Sequence, residues 1–158
     1  MKNNLSYSDK GLALTEQFEG LRLDAYQDSV GIWTIGYGHT GPDVHPKLTI
    51  TEEQAAQLLL KDVAGAVASV NHLVTVVLTQ NQFDALVDFA FNVGAAKLAN
   101  STLLRELNAG NFDAAAAQFP LWCHAGGVVL PGLLQRRQAT QALFLGRDSS
   151  AQVATAGA

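Results

Sequence analysis

The feature that most constrains this chain is a single long amphipathic segment near its middle. Thr51 followed by Gln54 is a reciprocal capping pattern, and Ala55, Leu58, Leu59, Asp62, Val63, Ala66, Val67 and Val70 then fall on one stripe at helical spacing. The pattern predicts a helix over 52–74. With 158 residues, 48% hydrophobic and 15% charged, the chain has enough apolar material for one packed domain and too little length for two large ones. Extended disorder is excluded on the same ground. The long helix therefore acts as a connector between the N-terminal and C-terminal parts of the chain.

Upstream, Ser8 is a plausible N-cap, Leu14 and Phe18 lie one turn apart, and Gly20 offers a stop, so a short helix is expected over 9–19. From Leu23 to His39 the pattern turns aromatic and β-branched around an Asp28-Ser29-Val30-Gly31 turn, which reads as a small antiparallel sheet. Downstream, Thr79 with Gln82 opens a second capped helix ending near Gly94. Helices over about 102–109 and 112–119 come next, then a glycine-containing loop at Gly126-Gly127 and a last helix from Pro131 to about Leu145. The expected class is α+β: a sheet-bearing lobe over 9–50, a connecting helix over 52–74 and an all-helical lobe over 79–146, with a cleft between the lobes and a flexible tail over 149–158.

Charge and cysteine usage narrow the function. Fourteen acids against ten bases give a net charge of -4, so no overall positive field attracts nucleic acid or an anionic membrane. The balance is uneven, since eleven of the acids but only five of the bases lie in residues 1–88. One cysteine, Cys123, excludes an internal disulfide, and the histidines at 39, 45, 72 and 124 lack zinc-ligand spacing. No metal and no cofactor are expected. With no signal-peptide or transmembrane run, the expectation is a soluble protein made in the cytoplasm, without membrane insertion, and a monomer by default.

Two acids stand out. Glu19 closes the first helix, at the negative end of its dipole, and Asp28 heads a turn. Each has an ordinary reading, as a solvated helix end and as a turn carboxylate. On a period-two reading, Trp33, Ile35, Tyr37 and His39 share one strand face, while Thr34, Gly36 and Gly38 share the other. Two glycines beside a hydroxyl suggest close approach by a ligand, or tight packing. A carboxylate pair is the minimum equipment for cleaving a glycosidic bond, one protonating the leaving oxygen and the other activating water. Asp62, inside an apolar stripe, needs compensation that His39 can supply as a structural pair. The basic pair Arg136 and Arg137 is either solvated or neutralises a carboxylate.

The run EGLRLDAYQDSVGIWTIGYGHT over 19–40 closely resembles the phage-type lysozyme family, whose Glu, eight residues, Asp, five residues, Thr spacing it reproduces. The likeness extends through 51–67, FNVG at 91–94, Asn100-Ser101 and GLLQRR at 132–137, so 1–148 reads as one catalytic domain. The resemblance implies a two-lobed lysozyme fold and an endolysin hydrolysing the β-1,4 bond between N-acetylmuramic acid and N-acetylglucosamine in peptidoglycan. It assigns Glu19 as general acid, Asp28 as the carboxylate that positions water, and Thr34 as the hydroxyl that holds it. It also implies sugar contacts at Thr40, Phe91, Asn92 and Ser101, with Arg136, His39 and Asp62 in support. Release to the wall would depend on a holin-type partner. A lytic transglycosylase on the same bond and a non-catalytic glycan-binding module are the alternatives.

Overall fold

A computed structural model describes residues 3–147. The expected tail over 149–158 lies outside the described residues. The elements are α1 (Asp9–Glu19), a sheet of β1 (Arg22–Gln27), β2 (Trp33–Gly36) and β3 (His39–Thr40), then α2 (Glu52–Leu73) and α3 (Gln80–Val93). After these come α4 (Ala95–Ala99), α5 (Thr102–Asn108), α6 (Phe112–Gln118), a hairpin of β4 (His124–Ala125) and β5 (Val128–Val129), and α7 (Pro131–Phe144). The class is α+β, as expected. Two compact units divide the chain: Thr15–Ala64, and Met1–Leu14 together with Gly65–Ala158.

The Thr15–Ala64 unit is organised by the antiparallel sheet in order β1-β2-β3, with Tyr26 opposite Thr34 and Ile35 opposite His39. Its apolar residues Ile35, Val44, Ala55, Leu59 and Val63 are buried. At the start of α2, Gln54 N–H donates to Thr51 Oγ1 at 3.1 Å and Thr51 N–H donates to the Gln54 side chain at 2.9 Å. This is the reciprocal cap that the spacing implies. The period-two reading fails after Gly36. Tyr37 and Gly38 turn the chain between β2 and β3, and Gly36 and Gly38 adopt φ of +66° and +80°. Only glycine enters that region without strain, so these residues serve a tight turn, not the bare face of a longer strand.

The other unit is a helical core in which Phe83, Leu86, Phe89, Leu98, Leu103, Leu107 and Phe119 are fully buried. Phe89 packs edge-on against Phe119 and Trp122, with ring centroids 5.5 and 5.2 Å apart. Asn71, which interrupts the apolar stripe, accepts from Leu5 N–H at 3.0 Å and donates to Leu5 O at 2.9 Å. Ser8 accepts from Gly11 N–H at 3.3 Å as the cap of α1, and buried Asp84 accepts from both the Ser8 hydroxyl and its N–H. The first residues therefore belong with the helices that come after α2. This part is not purely helical as expected, because Gly126 and Gly127, at φ of +59° and +79°, close the β4–β5 hairpin. A Gly-Gly pair between short apolar runs is a hairpin signal.

Thr79 and Gln82 repeat the reciprocal cap at α3. Thr79→Ala is expected to lower the unfolding free energy by about 1 kcal/mol in urea titration, with Thr79→Ser restoring most of the loss.

Candidate active site

All three residues of the acid, carboxylate and hydroxyl pattern lie in the Thr15–Ala64 unit. Glu19 ends α1 and is half-buried. Its Oε1 lies beside the β2–β3 turn, where a Cβ added to Gly38 would sit 3.3 Å away. Gly38 thus serves two needs: it supplies the left-handed turn, and it leaves room for the Glu19 carboxylate.

Asp28 and Thr34 are joined through one residue. Asp28 Oδ1 accepts the N–H groups of Val30 and Ile32, each at 2.9 Å. The Ile32 carbonyl accepts both the Asp28 N–H and the Thr34 hydroxyl, again at 2.9 Å. The turn reading of Asp28 and its chemical reading are therefore compatible, because a single oxygen does the turn work. Oδ2 has no hydrogen-bond partner among the described residues. Thr34 is 4% exposed, and its hydroxyl hydrogen is committed to Ile32 O. Its oxygen is left to act as an acceptor. The role of Ile32 lies entirely in its backbone, so no side-chain pattern announces it.

His39 stands between two carboxylates. Nδ1 is 2.8 Å from Asp62 Oδ2, the pairing expected from sequence, and Nε2 is 2.9 Å from Asp43 Oδ2, which was not expected. A neutral imidazole donates through only one nitrogen, so two carboxylate partners require the imidazolium. Burial works against that charge, but the hydrogen bonds to Asp62 and Asp43 outweigh it and hold the His39 pKa above 6.5. The bond to His39 in turn lowers the pKa of Asp43.

The remaining candidates lie in the helical unit, except Thr40, which is exposed on β3 opposite Thr34. Arg136 is held by Asp88 through Nε at 3.1 Å and Nη2 at 2.8 Å, both residues being buried. The Thr140 hydroxyl donates to Arg136 O at 2.7 Å and lies 3.3 Å from Asp88 Oδ2. Asp88 was missed in the sequence, although an acid among Phe83, Leu86, Val87 and Phe89 is the same signal that exposed Asp62. Phe91 is half-buried against the helical core, and exposed Asn92 gives its side-chain oxygen to Arg137. Ser101 is buried, accepts from Leu104 N–H at 3.0 Å as the cap of α5 and donates to Leu98 O at 2.7 Å, so its hydroxyl has a structural use in the fold.

Comparison with known proteins points the same way. A phage lysozyme family profile matches residues 16–140. The endolysin of Bacillus phage B103 is 49% identical over 147 residues, covering 92% of this chain and 56% of its own length. The chain thus spans little more than half of that relative. The structure of an endolysin from Escherichia coli O157:H7 phage FAHEc1 superposes with a TM-score of 0.86 at 41% identity, covering 92% of this chain and 96% of that one. The muramidase domain of SpmX from Asticaccaulis excentricus gives a TM-score of 0.84 at 41% identity, covering 90% and 99%. Among the described residues, no helix is long and apolar enough to cross a membrane.

The raised His39 pKa sets the sign of a pH effect. Its stabilising contribution is complete below the unfolded value and is lost as pH rises through the folded one. Denaturation of wild type and His39→Gln between about pH 5 and about pH 9 should show a stability gap that shrinks with rising pH. A constant gap would mean that the imidazolium contributes nothing.

Proposed function

The chain belongs to the phage lysozyme family, and from that premise we propose that it is an endolysin hydrolysing the β-1,4 bond between N-acetylmuramic acid and N-acetylglucosamine in bacterial peptidoglycan. The observation that carries this reading is the shared Ile32 residue between Asp28 and Thr34. It fixes one oxygen of the carboxylate and the hydrogen of the hydroxyl. Asp28 Oδ2 and Thr34 Oγ1 are then two acceptors for one water, which donates a hydrogen to each and turns its lone pair toward the anomeric carbon.

Glu19 is the general acid. It delivers its proton to the glycosidic oxygen as the carbon–oxygen bond breaks, and the positive charge that develops at the sugar carbon is stabilised by Asp28. Water then bonds to the carbon and loses a proton to Asp28. Solvent restores the starting state by taking that proton and returning one to Glu19. The two acids hold separate tasks because their surroundings differ. Asp28 is saturated with turn amides on one side, whereas Glu19 projects from a helix end over a glycine.

Thr40, Phe91 and Asn92 are proposed contacts of the glycan strand, with Asn92 oriented by Arg137. Arg136, paired with buried Asp88 inside the helical unit, is a proposed supporting residue, and His39 with Asp62 holds the segment after the β2–β3 turn to α2. The protein acts as a monomer, accumulates in the host cytoplasm and reaches the wall after a holin-type partner opens the membrane. No cofactor enters the reaction.

Glu19→Gln keeps the size of the side chain and removes the proton. Clearing of a peptidoglycan suspension should fall by at least about 100-fold, with the thermal transition unchanged. Mass spectrometry of wild-type products should show reducing ends. Full activity in Glu19→Gln, or 1,6-anhydro ends, would overturn the mechanism.

A further inference from the structure

Tyr37 belongs to the 19–40 run but has no part in the chemistry proposed above. Its place in the fold is specific. It stands in the β2–β3 turn immediately before Gly38, the residue beside which the Glu19 carboxylate lies. Its side chain is hydrogen-bonded to that of Glu16 on α1. Glu16, Glu19, Tyr37 and Gly38 all lie in the Thr15–Ala64 unit.

Helical spacing puts Glu16 and Glu19 on one face of α1, three residues apart. Neighbouring groups of that face therefore meet neighbouring residues of the turn, Glu16 at Tyr37 and Glu19 at Gly38. The Gly20 N–H closes the helix end by donating to Glu16 O at 3.1 Å. Glu16 is thus tied by its backbone to the residue after Glu19 and by its side chain to the residue before Gly38. A phenol has one hydrogen to donate, and a carboxylate that receives it forms one of the stronger hydrogen bonds available to a side chain. Burial, the bond to Glu16 and the negative charges of Glu16 and Glu52 all raise the Tyr37 pKa, so the hydrogen stays on the phenol well past neutral pH. Gly38 has no side chain with which to orient the acid. At φ of +80° it leaves room for the Glu19 carboxylate, and the neighbouring residue supplies the attachment.

We propose that Tyr37 and Glu16 are a positioning pair for the general acid: their bond holds the last turn of α1 against the β2–β3 turn and so sets where the Glu19 carboxyl sits. Neither side chain touches the reacting atoms. On the hydrolase reading above, on which this role rests, a displaced Glu19 carboxyl delivers its proton less effectively while glycan binding is untouched, so the loss falls on kcat and not on KM.

Tyr37→Phe removes one oxygen, and Glu16→Ala removes the acceptor. On solubilised peptidoglycan each should lower kcat by about tenfold or more and keep KM within about twofold of wild type. Glu16→Gln retains an oxygen that accepts from the phenol and should restore most of the loss seen in Glu16→Ala. The double variant of Tyr37→Phe with Glu16→Ala should be no slower than the slower single variant, because one bond can be lost only once. Wild-type kcat in Tyr37→Phe, losses that multiply in the double variant, or a rise in KM alone would overturn the pair. A second readout needs no turnover: the carbon NMR signal of the Glu19 side-chain carboxyl should move in Tyr37→Phe and in Glu16→Ala, and return toward its wild-type position in Glu16→Gln. If wild type hydrolyses no peptidoglycan, the hydrolase reading fails and this signal decides the pair, an unmoved Glu19 resonance rejecting it.

Discussion

The helical unit is built around a charge that cannot be left alone. Asp88 on α3 has no exposed surface, and it is matched by two nitrogens of Arg136 on α7. Breaking such a pair costs on the order of 3–5 kcal/mol, because the surviving charge stays out of water. The pair therefore specifies which turn of α7 meets α3, while the Phe89, Phe119 and Trp122 packing beside it is more tolerant of exchange. Once α7 is registered by Arg136, the next residue has no choice of position. Arg137 is carried inward, over Phe89 and against the Trp122 carbonyl, and there Asn92 receives it.

The sheet-bearing unit solves a different problem with backbone alone. A carboxylate and a hydroxyl proposed to act on one water must be held with little freedom, and long side-chain networks do that poorly. Here the turn after β1 places the N–H of Ile32 on Asp28 and its C=O on Thr34. Because both groups are tied to a single residue, motion of the turn carries them together. Glycine does comparable work for Glu19, at a turn whose φ strains any side chain and where a Cβ would press on the acid at 3.3 Å.

Reciprocal caps, helix stops and the small sheet were legible because each depends on neighbours in sequence. Thr51 with Gln54 and Thr79 with Gln82 are self-contained hydrogen-bonding units, and Gly20 and Gly94 stop helices by their own conformational freedom. The Glu19, Asp28 and Thr34 spacing was legible for the same reason, since all three lie within a single local run. Long-range partners were not. Asp88 and Arg136 are 48 residues apart, so neither predicts the other, and Asp43 looks like an ordinary loop acid until His39 turns its second nitrogen toward it. Ser101 has a local use of the same kind, since a serine ahead of Thr-Leu-Leu is a helix cap and its hydroxyl accepts from Leu104 N–H.

Net charge was a similarly incomplete guide. At -4 the chain offers no global attraction to an anionic polymer, and long-range steering between exposed charges fades beyond about 8 Å at physiological salt. Buried charges escape that screening. The buried acids of the helical unit are already used, Asp84 by Ser8 and Gln80 and Asp88 by Arg136, whereas Arg137 keeps a guanidinium nitrogen without a hydrogen-bond partner among the described residues, in a low-dielectric surrounding.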